Sequence, residues 1–247
     1  MKNRKSRLVW VLVFMVWVNA LQGQLGSANV CNEFNTLNTK IRDRKIDKHN
    51  ALIAIQELLP HVKEYYYKHG GNDDLDKTLY FPMEGYSSKS AGGMNGSGYV
   101  VSGYDYFDGN KHGGHPAHDL FIYDKNQDCL DDKTHKPVDV VSVCNGIVVA
   151  TEETWDSSSV QRGGKYIWVY SPVKNSLFYY AHNSTLFVKP GTIVKSGDKI
   201  ARVGRTGLNA YKKRSPTHLH FMQLLFDANL YPRSVNCFEA LKGARLK

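Results

Sequence analysis

The sequence predicts a mainly β protein: an antiparallel β-sheet domain from about residue 79 onward, preceded by a small N-terminal helical segment. Three observations carry this. From Leu79 the chain is written in short runs of β-branched and aromatic residues, such as "DVVSVCNGIVVATEE", "KYIWVYS" and "SLFYYAH", parted by Gly, Pro, Asn and Ser. Upstream, residues 31–68 space their apolar residues near the 3.6-residue period of a helix. Near the end, "THLHF" (217–221) alternates histidine with apolar residues, as a strand with one working face would.

The first 23 residues of the 247 stand apart from that fold. "KNRKSR" is a basic opening and Leu8 to Val18 is an apolar run of eleven. That is signal-peptide length and short of the ~20 residues a spanning helix needs. Cleavage is expected after Ala20, with Gly23 and Ala28 as alternatives. Bulky Val30 ahead of Cys31 argues against a lipoprotein. The expected location is therefore export, to the periplasm, cell envelope or medium, without stable membrane insertion once the leader is cut. Losing Lys2, Arg4, Lys5 and Arg7 lowers the net charge from +9 by four, to +5. With no RNA-binding motif and no basic helix bearing heptads, that excess points away from nucleic acid and is compatible with an anionic cell-envelope polymer.

Residues 24–78 form the expected helical segment. Ile41, Ile46, Leu52, Ile55, Leu59 and Val62 supply its apolar face, Pro60 is expected to kink or end the first helix, and Gly70-Gly71 ends the second. Its histidines, His49, His61 and His69, lack any partner spacing. The remaining residues, 79–247, form the expected β domain. Within it "VKPGTIVKSGDKIARVG" (188–204) has the rhythm of a tight β-hairpin stack, as in lipoyl-type barrels. Four cysteines (Cys31, Cys129, Cys144 and Cys237) in an exported chain are expected to form disulfides, in any of three pairings.

The chemistry concentrates in two places. His218 and His220 project from the same face of a strand about 7 Å apart, with Leu219 and Phe221 turned to the core. In "HPAHD" (115–119), His115 and Asp119 fall on one strand face with small Ala117 between them, and His118 falls on the other, in a packing or supporting role. His115, Asp119 and one histidine of the pair together make two nitrogens and one oxygen, the donor set of a catalytic zinc with a place left for water. His112 and His135 read as surface residues, and Tyr104 and Tyr106 as packing. Trp155 and Tyr211 are candidates for a sugar contact beside the cleft. The D-x-N-x-D opening of Asp124–Asp132 lacks the glycine and glutamate of an EF-hand and is expected to be a solvated acidic loop, with calcium as the alternative.

"HPAHD", then "YYAHNSTLFVKPGTIVKSGDKIARVGRTG" (179–207), then "THLHF", in that order, resemble the lysostaphin-type, LytM-like zinc endopeptidases across about half of the chain, Tyr104 to Leu224. The resemblance implies a LytM-like β domain with one zinc ion held by His115, Asp119 and His220. It further implies His182 and His218 as unligated catalytic histidines, His218 as general base and His182 as oxyanion stabiliser or acid. The implied substrate is peptidoglycan, cut within stem peptides or cross-bridges. The chain departs from the family's pattern at Ala117, where glycine is usual, at Met222, where glutamate is frequent, and in the longer, basic "LNAYKKRSP" stretch. A rival implied by the same family is a non-catalytic activator of other wall hydrolases; a second is a lipoyl-like carrier, suggested by the hairpin rhythm.

Overall fold

The computed structural model describes residues 30–72 and 79–247, so the expected leader lies outside the described residues. Two helices, α1 (Val30–Arg42) and α2 (Lys48–Lys68), precede ten strands: β1 (His118–Phe121), β2 (Asp139–Val141), β3 (Gly146–Glu152), β4 (Lys165–Ser171), β5 (Ser176–Asn183), β6 (Thr185–Leu186), β7 (Ile193–Val194), β8 (Lys199–Arg202), β9 (His218–Phe226) and β10 (Pro232–Val235). A short helix, α3 (Phe238–Lys242), follows. A seven-stranded sheet runs β1-β9-β5-β4-β3-β7, with β10 beside the second half of β9, and a three-stranded sheet runs β2-β8-β6. Every named pairing is antiparallel. Among the described residues no helix is long and apolar enough to cross a membrane.

Strand alternation divides the large sheet between two cores. Ile167 and Val169 of β4, Phe178 and Tyr180 of β5, and Leu219 and Phe221 of β9 enter one core with Phe81, Met83 and Leu120. Trp168, Tyr170, Leu177, Ala181, Met222 and Leu224 enter the other, where Phe34, Leu37 and Ile41 of α1 and Ile55, Leu59 and Val62 of α2 cover them. His218 and His220 share a face with Met222 and Leu224 by strand period. The helices thus cover one end of that face and leave the histidine end open. A buried polar cluster ties α1 there. Asn38, 4 % exposed, donates to the Tyr166 hydroxyl at 3.0 Å and accepts from Tyr106 at 3.1 Å, while Arg42 bridges to Glu152 at 2.6 Å.

Three expectations are corrected. The helix break falls at residues 43–47 rather than at Pro60: Arg44 takes φ 56°, and Asp47 caps α2 by accepting from the Asn50 amide at 3.0 Å. Pro60 lies inside α2 on its exposed side. Proline has no amide hydrogen to give the Gln56 carbonyl, but that residue is exposed, and buried Leu59 and Val62 hold the helix through the turn. The arms of the 188–204 stretch do not pair with each other; β7 joins β3 in the large sheet, whereas β8 joins β2 and β6 in the small one. No disulfide forms among the described residues, and all four cysteines are free thiols. Cys31 lies on the buried face of α1 in one core, Cys144 and Cys237 in the other, and Cys129 in the 124–132 loop. Burial pushes the Cys31, Cys144 and Cys237 thiols up to about 12.

The 124–132 loop is bound by its own carboxylates. Asp124, buried, accepts from the Asp128 and Cys129 amides at 3.1 and 2.9 Å and from the Thr217 hydroxyl at 2.6 Å. Asp131 accepts from the Lys133 and Thr134 amides at 2.9 and 2.8 Å, and from the Tyr86 hydroxyl. These oxygens cap a turn instead of lying open to solvent. Their lone pairs are engaged by protein donors, and the loop contains none of the metal-binding clusters found among the described residues.

Candidate metal centre

Three segments distant in sequence meet at the uncovered end of the large sheet. Asp119 of β1 lies directly opposite His220 of β9, and His220 lies opposite Ala181 of β5 on its other side. His182 follows Ala181 and by strict alternation would face the other way, but its left-handed backbone, φ 67°, breaks the alternation, and its ring lies next to the β9 pair. His115 precedes β1 and is fixed by an isolated bridge, exchanging backbone hydrogen bonds with Val100 at 2.8 and 2.6 Å. The expected continuous strand from 115 to 119 is therefore interrupted by a bend at Ala117, yet the two side chains still meet. His118 turns away, 2 % exposed, with Nε2 against the Asn236 side-chain oxygen at 3.1 Å.

Asp119 Oδ1 is the point of convergence. His220 Nδ1 stands 2.9 Å from it, His115 Nε2 3.2 Å and His218 Nε2 3.7 Å. His115, Asp119 and His220 each offer one ligand atom, all within 4.8 Å of one another. The His182 ring centroid lies 4.8 Å from that of His218 and 5.4 Å from that of His220. All five residues singled out in the sequence border one cavity of about 210 Å³. A larger groove of about 950 Å³, lined in part by Tyr86, Lys89, Tyr123 and Lys133, contains none of these histidines.

Hydrogen bonds set the tautomers. A backbone carbonyl only accepts, so each ring nitrogen facing one carries a proton. His115 Nδ1 faces the Gly98 carbonyl at 2.9 Å, His182 Nδ1 that of Thr206 at 2.8 Å, and His218 Nδ1 that of Pro216 at 2.7 Å. In the neutral form each of these rings keeps a lone pair on Nε2. His115 then directs a lone pair at a carboxylate oxygen, a contact that is repulsive unless a proton or a cation lies between. A metal ion relieves that repulsion, and an Nδ1–H donated to a carbonyl is the usual support of a ligating imidazole. The residues present fit a divalent cation with nitrogen and oxygen ligands.

Without a metal ion, a proton takes that place, and the His115 Nε2 that faces Asp119 then donates to it. Burial alone would raise the Asp119 carboxyl, but hydrogen bonds from His115 and His220 outweigh it and hold the group far below the usual carboxylate range. The hydrogen bond to Asp119 raises His115. Burial lowers His220, and lowers His182 well below the ordinary 6.5, with the neighbouring imidazoles adding to the effect. His182 is therefore neutral near pH 7, with its Nε2 able to accept.

Other residues complete the cavity. His112 lies at its rim, half-buried, with Nδ1 on the Gly113 carbonyl at 2.9 Å and its ring edge-on to Tyr104 at 5.0 Å, and it stays outside the ligand cluster. Trp155 and Tyr211 pack on each other with centroids 5.6 Å apart. Arg162, Tyr179, Asn209 and Ser215 line the cavity and escaped the sequence reading. For Tyr179 a signal existed, because strand period puts it on the same face as Ala181, the residue opposite His220. For Arg162 the single hint was the Gly163-Gly164 pair beside it, a sign of close backbone approach.

The sequence profile described as Peptidase family M23 matches residues 126–229. That interval holds His182, His218 and His220; His115 and Asp119 lie upstream of it and are brought to it by the pairing of β1 with β9. No curated protein matches the chain. Solved structures with similarity include a putative glycyl-glycine endopeptidase from Ruminococcus gnavus (24% identity over 78% of this chain and 73% of that one, TM-score 0.45). Lysostaphin from Staphylococcus simulans aligns at 24% identity over 53% of this chain and 44% of that one, TM-score 0.37. A zinc containing peptidase from Vibrio cholerae aligns at 20% identity over 67% and 41%, TM-score 0.39.

Proposed function

We propose that the chain, whose residues 126–229 match the profile described as Peptidase family M23, is an exported zinc metallo-endopeptidase of that family, hydrolysing peptide bonds in peptidoglycan stem peptides or cross-bridges. The observation that carries this reading is the convergence of His115 Nε2 and His220 Nδ1 on Asp119, with His182 and His218 alongside. In this reading His115, Asp119 and His220 hold the zinc, and residues 79–247 form the peptidase domain behind a helical segment. When bound, zinc polarises a scissile carbonyl and lowers the pKa of a water toward about 7.

The remaining work falls to the chain's own histidines. His218, held by the Pro216 carbonyl through Nδ1, turns Nε2 toward Asp119 and takes the water's proton there. His182, held by Thr206, has its Nε2 free in the same way. Burial keeps that ring neutral, so any proton it gives to the developing oxyanion or the leaving amine is one it has first received within the site. The complete set of ligands and proton carriers favours an enzyme over a non-catalytic activator of other hydrolases.

Incubating the purified protein with isolated sacculi tests this. We expect release of soluble muropeptides with new amino termini, lost on chelation and restored by one equivalent of zinc. Zinc binding with no release would favour the activator instead, and release that survives chelation would remove the metal from the mechanism.

A further inference from the structure

Arg162 is a cation that pairs with no carboxylate among the described residues, and it is placed between two hollows. It lines the metal cavity together with His115 and Asp119, and it also lines an adjoining hollow walled by Asn38, Ile41 and Arg42 of α1. One of its guanidinium nitrogens donates to the His112 carbonyl at 2.7 Å, and among the described residues no carboxylate pairs with it. A guanidinium has five N–H donors, so most of its capacity remains unspent. Its neighbour across the hollow, Arg42, is in the opposite state, saturated by Asp43, Glu152 and the Tyr166 hydroxyl.

The residue is also held in place. Its amide donates to the Asn110 side chain at 2.9 Å; the carbonyls of its neighbours Gln161 and Gly163 accept from Leu208 at 2.9 Å and from His182 at 3.0 Å. Gly207, at φ 114°, packs flat against this segment. A Cβ there would run into the Arg162 carbonyl oxygen and come within 2.9 Å of His182 Nδ1. The loop that carries the cation is thus clamped to the same backbone that positions His182. A pre-positioned guanidinium suits a planar carboxylate, which it meets with two parallel hydrogen bonds. Exposed Lys213 and Arg214, on the loop that brings Asn209 and Ser215 to the cavity, add a field of the same sign.

We propose that Arg162 is a substrate-selecting residue that binds a free carboxylate of the peptide beside the bond being cut, so that the chain prefers acidic stem peptides to their amidated forms. This rests on the peptidase reading above. It makes α1 part of the substrate-binding wall, since the second hollow exists only where α1 closes it.

The test compares soluble cross-linked muropeptides with the same material amidated by carbodiimide and ammonia, using the zinc-loaded protein. The wild type is expected to cleave the free-acid form with a kcat/KM about tenfold or more above the amidated form, the scale of a charge-assisted hydrogen bond. Arg162→Gln should bring the ratio close to one, and Arg162→Lys should recover part of it. Lys189→Gln, an equal loss of charge on an exposed loop beside β7 at the opposite edge of the sheet, should keep the wild-type ratio. Zinc content and melting temperature of each variant report whether the fold survives. A wild-type ratio of one, or a preference that persists in Arg162→Gln, overturns the proposal and leaves the peptidase reading standing. Failure of the wild type to cleave either form overturns the peptidase reading itself.

Discussion

His220→Ala is expected to yield a folded protein that neither retains zinc nor releases muropeptides. The imidazole removed is the one whose Nδ1 lies 2.9 Å from Asp119, and it is wedged between β1 and β5, so no other ring can take its place. His218 is the nearest alternative, but its Nε2 stands 3.7 Å from the same oxygen and its Nδ1 is bound to Pro216. With His115 and Asp119 alone, two protein ligands remain, fewer than the three of a catalytic site. The fold should survive, because His220 lies at the open end of its face and the apolar contacts of β9 come from Leu219, Phe221, Met222 and Leu224. Metal analysis after dialysis and the sacculus assay read this directly. Zinc retained at wild-type stoichiometry would show that His220 is not a ligand.

His218→Ala should separate binding from turnover. On the proposed assignment the ligand set is left whole, so zinc should stay, while the group proposed to accept the water's proton is lost. Removing a general base typically lowers the rate by about 10²–10⁴-fold, and kcat is expected to fall within that range with KM little changed. Wild-type turnover in this variant would move the role of base to His182, whose ring is neutral and 4.8 Å away, and would leave the metal site intact.

The two variants lie two residues apart on one strand, and that spacing is the part of the site most legible in the sequence. "HLHFMQLLF" shows it well. The even-spaced set His218, His220, Met222 and Leu224 changes from polar to apolar along one face, while Leu219 and Phe221 fill the other. The change marks where α1 and α2 stop covering the sheet, a meaning that emerges only once the helices are seen to pack there. HxxxD was legible as a pair even though the strand joining its ends proved shorter than the spacing suggested, because a bend at Ala117 and the bridge to Val100 achieve the same approach.

Other features depend on long-range contacts that local pattern does not encode. Arg162 reaches the cavity because residues 161–164 cross 206–208, a meeting of backbones that leaves only glycines behind as a trace. The glycine rhythm of 188–204 signals tight turns and is silent about which strands its arms join, and they join different sheets. Pro60 does not end α2, since a proline on the exposed side of a helix whose other face is buried is held by its neighbours' packing. The even cysteine count implied pairing, whereas the fold distributes the four thiols between two cores and a loop.

Crystals of the zinc-loaded protein, with anomalous scattering recorded at the zinc edge, test the centre most directly. One peak is expected per chain, within about 2.0–2.2 Å of His115 Nε2, His220 Nδ1 and an oxygen of Asp119, with His182 and His218 beyond bonding distance. A peak bound instead by His182 or His218, or zinc located away from Asp119, would contradict the account.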